Sequence, residues 1–468
     1  MLNILKAKIH DSQAKWVDMH VMIIGGGTGG MCLAHGLKQA GVSVAVYERY
    51  GSRSDGLYGY RVGIDPTGNR ALKECLPPEL FETFVATCAR TPRHFNILTQ
   101  RMHTTASFEM RDDSDDVDSE RSVSRSTLRQ VLFTGMDDVV HYGKVFTRYE
   151  QNPDGTVTAF FADGTSATGD VLVAADGTRS AVRRQYLPHA QISDTGVTAI
   201  ATKTALTPET RALLTDEVRN GLSLVFGTKG MIGMLHVMEF KWDADGRPKN
   251  PADAAMLEKW SGLQFDNTRD YANLSIWSSH DHFPEGAERL RGKELIDVAL
   301  RAADNWHPTL RKLFELSDPD AAFALRIATS APVDPWPTTN VTLLGDAIHT
   351  MTPGQGVGAN TALRDAALLR HQLVAAARGQ KPLLKAIGDY EAEMIPYGFA
   401  RVAESLDNNG TSGKDPLYKP VTGRLALFAA RSFFSVTSKV PALRKKFLDS
   451  LYAYRGPDEV LEAASTRV

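Results

Sequence analysis

Leu343–Asp365, LLGDAIHTMTPGQGVGANTALRD, joins an acidic residue just past a strand to a glycine-rich turn that opens a helix. Val341 to Leu344 read as a short buried strand, Gly345-Asp346 break it, and Pro353-Gly354-Gln355-Gly356-Val357-Gly358 form a turn of nearly bare backbone. Leu363, Ala366, Leu369 and Leu373 then recur at helical spacing. Bare glycine lets a flat ligand approach the main chain, and a helix start aims unpaired N–H groups and its positive dipole end at that ligand. The stretch predicts a seat for a phosphorylated ring cofactor. A ring carbonyl that gains negative charge on reduction suits the turn, and Asp346 can accept a hydrogen bond from a ribityl hydroxyl.

Toward the N-terminus, Val21 to Ile24 form an apolar strand followed by Gly25-Gly26-Gly27-Thr28-Gly29-Gly30, which places G-x-G-x-x-G on Gly25, Gly27 and Gly30. A helix continues through Leu33, Leu37 and Ala40, and after Gly41 the alternating Val42, Val44 and Val46 end at Glu48, with Arg49 beside it. That is roughly the twenty-residue offset expected of an acid that binds a ribose hydroxyl pair. A pyrophosphate belongs over the helix start, near Thr28 and Gly29. FAD and NAD share this grip, so the loop alone leaves the dinucleotide open.

A third segment separates them. From Tyr149 to Ala175 strands are broken by Asn152-Pro153-Asp154-Gly155 and Ala162-Asp163-Gly164-Thr165, the turn chemistry of a β-meander. The chain then runs VLVAADGTRSAVR over residues 171–183, with Asp176, Gly177, Ser180 and Arg183. A simple nicotinamide dehydrogenase would place a helical crossover there.

Together the three segments resemble the fingerprints of class A flavoprotein monooxygenases. That p-hydroxybenzoate hydroxylase-like group includes polyketide-tailoring hydroxylases and tetracycline-inactivating monooxygenases. The resemblance covers about residues 20 to 400 in order. It implies an α/β chain: an FAD-binding Rossmann-like domain of the glutathione-reductase type over 21–190 and 330–415, an inserted, mostly antiparallel substrate sheet over 191–329, and loops from 55–120 near the flavin. Residues 1–20 would be an N-terminal extension and 416–468 a C-terminal helical segment. It implies non-covalent FAD, transient NAD(P)H, and O2 activated as a flavin C4a-hydroperoxide to oxygenate an aromatic or polycyclic natural product. Hydroxylation, epoxidation and Baeyer-Villiger insertion all stay open. The implied FAD contacts are Gly25, Gly27, Thr28, Gly29, Gly30, Glu48, Arg49, Asp176, Asp346, Pro353, Gly356, Val357, Gly358 and Asn360, with Arg125 reaching the cofactor from a helix start.

The middle of the chain reads as strands at Val197 to Lys203, Leu222 to Phe226, Met231 to Phe240, Tyr271 to Ser278 and Ala322 to Ile327, with a helix from Lys293 to Trp306. Phe226, Met234, His236, Met238, Leu274 and Trp277 are candidate pocket residues, each balanced against an ordinary core role. Arg61, in the glycine-rich Asp55 to Asp65, is a candidate substrate or flavin contact, and His349 reads as a packing or hydrogen-bonding residue of its turn.

Composition narrows the rest. The 468 residues, 43% of them hydrophobic, are ample for a core, and a formal net charge of −2 offers nucleic acid no attraction. Cys32, Cys75 and Cys88 form no framework and suit a reducing cytoplasm. No metal motif, secretory signal or membrane-length apolar run is found, and the acidic run Arg111 to Glu120 reads as a solvated loop. Arg424 to Tyr454 mixes leucine and phenylalanine with arginine and lysine. It is expected to pack back across the domains, with a bilayer surface as the other possibility. A flavin halogenase is disfavoured, because none of Trp16, Trp242, Trp260, Trp277, Trp306 or Trp336 begins a W-x-W-x-I-P segment. An oxygen-independent flavin reductase and a non-catalytic flavin-binding protein remain as alternatives.

Overall fold

Val21, Met22 and Ile23 and, far along the chain, Val171, Leu172 and Val173 are apolar on both sides of their strands and fully buried, as parallel strands under helices require. They sit at the centre of a five-stranded parallel sheet ordered Val341–Leu343, Val171–Ala174, His20–Ile24, Ser43–Tyr47, Val140–His141. The computed structural model describes residues 18–55, 59, 61–110, 119–228, 230–241, 255, 258, 270–406, 412–419 and 421–452. The extension up to residue 17, most of the acidic run, Gly56, Tyr58 and Tyr60 lie outside them.

Helix Thr28–Gln39 packs against Gly358–Ala377, whose Leu363, Ala366, Leu369 and Leu373 are all fully buried. Beside the parallel sheet lies the antiparallel meander Phe146–Gln151, Val157–Phe161, Ser166–Gly169, and its Phe161 ring stacks on Tyr47 at 4.8 Å. Gly155 and Gly164 close its two turns with φ of +86° and +82°, conformations that favour glycine.

The second sheet has seven strands, ordered Phe323–Ser330, Ile192–Ala205, Tyr271–Ser279, Ile232–Met238, Gly221–Phe226, His94–Thr99, Thr104–Glu109. All its pairs are antiparallel except Gly221–Phe226 with His94–Thr99. Residues 94–109 therefore differ from the sequence reading, which left 55–120 as loops beside the flavin. They are two strands of the seven-stranded sheet, reached by a parallel pairing to a strand more than a hundred residues later, and no local pattern announces such a partner.

The two faces of this sheet have different fates. Val225, Leu235, Leu274, Ile276 and Ile200 point one way and form a sealed core with helices Gly292–Ala302 and Pro308–Glu315. The opposite face is covered at one end by helix Thr422–Lys439, where Phe226 meets Phe434 at 6.1 Å between ring centroids. At the other end it meets the antiparallel strand pair Arg61–Ile64 and Arg121–Ser124. Tyr271 hydrogen-bonds Ser124, and the Arg61 charge reaches His236. Between these ends Leu222, Leu224, Met234, Asn273, Ser275 and Trp277 are only half-buried.

Candidate flavin site and the sheet face beside it

The glycines of the first loop are there for different reasons. Gly25 has φ +105°, and a Cβ on it would lie 2.5 Å from the Ala175 carbonyl oxygen. One on Gly30 would lie 2.5 Å from the Gly25 carbonyl oxygen, and one on Gly29 would lie 2.8 Å from Leu344 Cδ1. These three are required by packing, and through them the first fingerprint rests on the second at Ala175 and on the third at Leu344. Gly27 is exposed, and among the described residues the one atom within 4 Å of its Cβ position is Ala175 O at 3.7 Å, so none of them crowds out a side chain there. Gly356, with φ +69°, also has no atom near its Cβ position.

Two helices begin at these bare turns. Thr28–Gln39 and Gly358–Ala377 have no side-chain cap and no acidic residue in the first turn. The neighbouring helices Pro66–Cys75, Arg125–Phe133 and Ala181–Tyr186 are each closed by a side chain, that of Asp65, Ser124 or Ser180. Uncapped N–H groups behind an open glycine are the donor set that a phosphate or a reduced ring carbonyl needs. Asp346 and Arg125 fit the same reading. Both lie deep in the molecule, crowded by protein, and both are nonetheless exposed, which places them on the wall of an open groove. Their opposite charges attract each other, and Arg125 Cδ lies 3.2 Å from where a Gly59 Cβ would stand. Pro353 is exposed at the groove rim, Thr28 and Gly358 are half-buried, and Val357 is buried at the helix start.

Glu48 is 4% exposed and fastens the first loop: Oε2 accepts the Gly26 N–H at 2.9 Å and Oε1 accepts the Tyr50 N–H at 3.0 Å. Arg129, to which the sequence reading gave no role, stands 3.6 Å from that carboxylate, donates to the Gly26 carbonyl at 2.9 Å and lies 4.4 Å from the Phe133 ring. Its signal was its spacing, four residues after Arg125 on one face of one helix. Arg49 is exposed, 5.2 Å from the Tyr50 ring.

Two expected cofactor contacts have side chains engaged elsewhere. Asp176 Oδ2 accepts the Ala181 N–H at 2.7 Å and so holds the start of helix Ala181–Tyr186, while burial raises its carboxyl pKa. Asn360 is buried; it accepts from the Asp65 N–H at 3.0 Å and donates to the Gly63 and Gly356 carbonyls at 2.9 and 3.3 Å. Its amide clamps the Arg61–Ile64 strand to the glycine turn. Arg183 is a further tie, donating to Thr178 O at 3.0 Å and Ala347 O at 2.8 Å across two fingerprints.

Behind Asp346 lies a buried pair. His349 Nε2 and Asp365 Oδ2 are 2.6 Å apart, and the same oxygen accepts the Gly345 N–H at 2.9 Å. Burial alone would depress the His349 pKa, but the Asp365 and Asp346 carboxylates outweigh it and hold the imidazole above its ordinary value. His349 is thus a hydrogen-bonding residue that supports the turn carrying Asp346.

Of the six pocket candidates, three are core. Leu274 lies on the sealed face, because Leu235 opposes it in register and both point into the helices. Phe226 shares the open face but is covered by the C-terminal helix, and Met238 packs with Phe240 and Tyr271. Met234 and Trp277 are half-buried on the open face. His236 is on that face too, buried, with Nδ1 lacking a hydrogen-bond partner among the described residues; burial first, and Arg61 second, push its pKa well down. Arg61 itself is half-buried and 3.8 Å from Glu120. A cleft of about 600 Å³ lined by Arg90, Arg93, Arg219, Glu109 and Glu239 includes none of the loop glycines and none of the half-buried face, so it is distinct from this groove.

A family profile described as an FAD binding domain matches residues 303–403. A solved structure assigned as an FAD containing monooxygenase from Photorhabdus luminescens subsp. laumondii TTO1 is 34% identical, covers 83% of this chain and 96% of its own, and has a TM-score of 0.70. This chain belongs to the class A FAD-dependent monooxygenases. The monooxygenase is also 30% identical over 436 residues to a dual O-methyltransferase/FAD-dependent monooxygenase of Phaeosphaeria nodorum, matching 88% of this chain but 46% of that protein. The chain thus spans about half the length of the first relatives it matches. An FAD-dependent urate hydroxylase of Klebsiella pneumoniae is 27% identical, with 80% of this chain and 85% of that protein covered.

An FAD binding domain matches this chain, and the open glycines and uncapped helices fit that cofactor. Asp346→Ala is expected to weaken FAD binding by about 10- to 100-fold, the loss of one hydrogen bond to a charged acceptor at about 1.5–3 kcal/mol. Fluorescence titration of the apoprotein with FAD checks this. Unchanged affinity would remove Asp346 from the cofactor site.

Proposed function

We propose that the chain is a single-component, FAD-dependent monooxygenase that uses NAD(P)H and O2 to oxygenate an aromatic or polycyclic small molecule in the cytoplasm. Its parallel sheet is read as the glutathione-reductase type of nucleotide domain, and its seven-stranded sheet as the substrate platform. The observation that carries this reading is the half-open sheet face, which adjoins the flavin groove where Ser124, bonded to Tyr271 of the sheet, precedes Arg125 of the groove. The half-buried Leu222, Leu224, Met234 and Trp277 offer a flat apolar substrate a surface, with Asn273, Ser275 and His236 as polar handles.

Bound FAD supplies the redox chemistry, taking electrons from the reductant and activating oxygen. The protein's part is to bind, orient and exclude water. The uncapped start of Thr28–Gln39 would hold the pyrophosphate, Glu48 with Arg129 fixes the loop that would receive it, and Arg125 and Asp346 would bind the ribityl chain. The three cysteines, all buried and none in a disulfide, agree with a reducing compartment. His236 is neutral at working pH because its pKa is well depressed, so it can accept or donate one hydrogen bond without bringing a charge into the pocket.

His236→Leu is expected to lower kcat/KM about 5-fold, the effect of roughly 1 kcal/mol from one net hydrogen bond, with FAD content unchanged. An unchanged kcat/KM would take His236 out of the substrate site. The function is tested by recording the visible spectrum of the purified protein, then following NADPH or NADH oxidation and dissolved oxygen as phenols, polycyclic polyketides, tetracyclines and urate are added. A compound that stimulates both losses and gains one oxygen by mass supports the proposal. A yellow protein inert to oxygen with every reductant would favour a flavin reductase or a flavin-binding protein.

A further inference from the structure

Helix Thr422–Lys439 carries apolar side chains on two faces, one packed and one exposed. Ala426, Leu427 and Phe434 pack on the substrate sheet, and Arg431 ties the helix down by donating to Gln100 Oε1 at 2.9 Å and the Phe226 carbonyl at 2.8 Å. The opposite face presents Leu425, Phe428, Phe433 and Val436 to solvent, and Val440 and Leu443 continue the stripe into helix Pro441–Tyr452. Leu425 and Phe428 are 70% and 69% exposed. Seven of the ten large hydrophobic residues exposed among the described residues fall between Val421 and Leu443, so the stripe is a concentrated patch rather than the scattered exposure of an ordinary surface.

Cations frame the stripe. Residues 412–452 hold eight lysines and arginines against two aspartates, in a chain of net charge −2. Arg424, Lys439, Lys445 and Lys446 are exposed along it, and Thr422–Lys439 contains no acidic residue. Where the two helices meet, a cleft of about 330 Å³ is lined by Lys439, Arg444 and Lys445 together with Glu109 and Asp449, three cations against two carboxylates. We propose that this stripe and its cationic corner seat the enzyme on an anionic phospholipid surface, with the apolar side chains entering the acyl boundary and the corner cleft taking a headgroup phosphate. Long basic side chains extend toward the headgroups while their stems stay in apolar contact, the pattern of an interfacial helix. A second copy is a poorer occupant: stripe against stripe would oppose cation to cation with no carboxylate on Thr422–Lys439 to pair them. The helices lie on the bilayer, since no helix among the described residues is long and apolar enough to cross one.

The test is flotation of the FAD-loaded full chain with vesicles of phosphatidylcholine alone or containing phosphatidylserine. Binding to the anionic vesicles, at least about tenfold weaker on the neutral ones and weakened by salt, is expected. F428S with F433S, and separately K445E with K446E, should each reduce binding about tenfold or more; these side chains are exposed, so FAD content should not change. No flotation with anionic vesicles, or equal binding to both kinds, would overturn the proposal. So would a concentration-dependent dimer in analytical ultracentrifugation that F428S abolishes, which would make the stripe a self-interface.

Discussion

Replacing Gly27 with valine is expected to give a folded, colourless protein. A Cβ at this position meets little of the described protein, so the cost to the apoprotein is that of a β-branched residue at a helix N-cap, about 1 kcal/mol. The valine side chain would instead fill the space over the uncapped start of Thr28–Gln39, where the pyrophosphate is expected to lie. Loss of two hydrogen bonds to a charged group, at about 1.5–3 kcal/mol each, lowers affinity for FAD by about 100-fold at the least. Gly25→Val is the control that separates the two kinds of glycine. Its Cβ would collide with the Ala175 backbone at a positive φ, so that variant should lose fold and flavin together. Absorbance at the flavin band alongside thermal melting of the apoprotein distinguishes them. A yellow Gly27→Val protein would mean that the pyrophosphate lies elsewhere.

Asp365→Ala should destabilise the protein by about 3–5 kcal/mol, the cost of leaving one partner of a buried pair alone. The variant strands the buried His349 imidazole and the Gly345 N–H, both held by one carboxylate oxygen. Asp365→Asn keeps an acceptor and should lose less. The pair also predicts a pH dependence. The His349 pKa is raised in the folded state, so its contribution is complete below the unfolded value of about 6.5 and is lost as pH rises through the higher folded value. Stability of the wild type should therefore fall on the alkaline side of about pH 6.5, and His349→Gln should flatten that part of the profile. Urea denaturation of both proteins from pH 6 to 9 measures it; parallel profiles would show that His349 is not the group titrating.

The parts legible in the sequence were those whose signal is local. A glycine turn between a buried strand and a helix declares itself within some twenty residues, and all three such turns stand together in the structure through Ala175, Leu344 and Ala347. What glycine spacing could not say was which glycines face a ligand and which face protein; only the atoms near each Cβ position separate Gly27 from Gly25. Asn360 and Asp176 carried a motif's identity, yet their side chains serve backbone groups that sequence does not place beside them. Leu274 was a parity error open to correction: Leu274 and Trp277 are three residues apart and cannot share a face of one regular strand. The strands at 94–109 were out of reach, since a parallel partner more than a hundred residues distant leaves no periodic trace.

The sealed and half-open faces of the seven-stranded sheet place two regimes of tolerance on one chain, alternating residue by residue. A substitution at Leu222 or Met234 alters a half-open surface, whereas one at Val225 or Leu235 opens a void against two helices. A diversified library confined to 222, 234 and 275 would therefore vary that surface while leaving the scaffold's melting behaviour nearly constant, whereas Leu224 and Trp277 also pack into the cluster beneath the C-terminal helix. Shifting every randomised site by a single position would spend the same effort on collapsed variants.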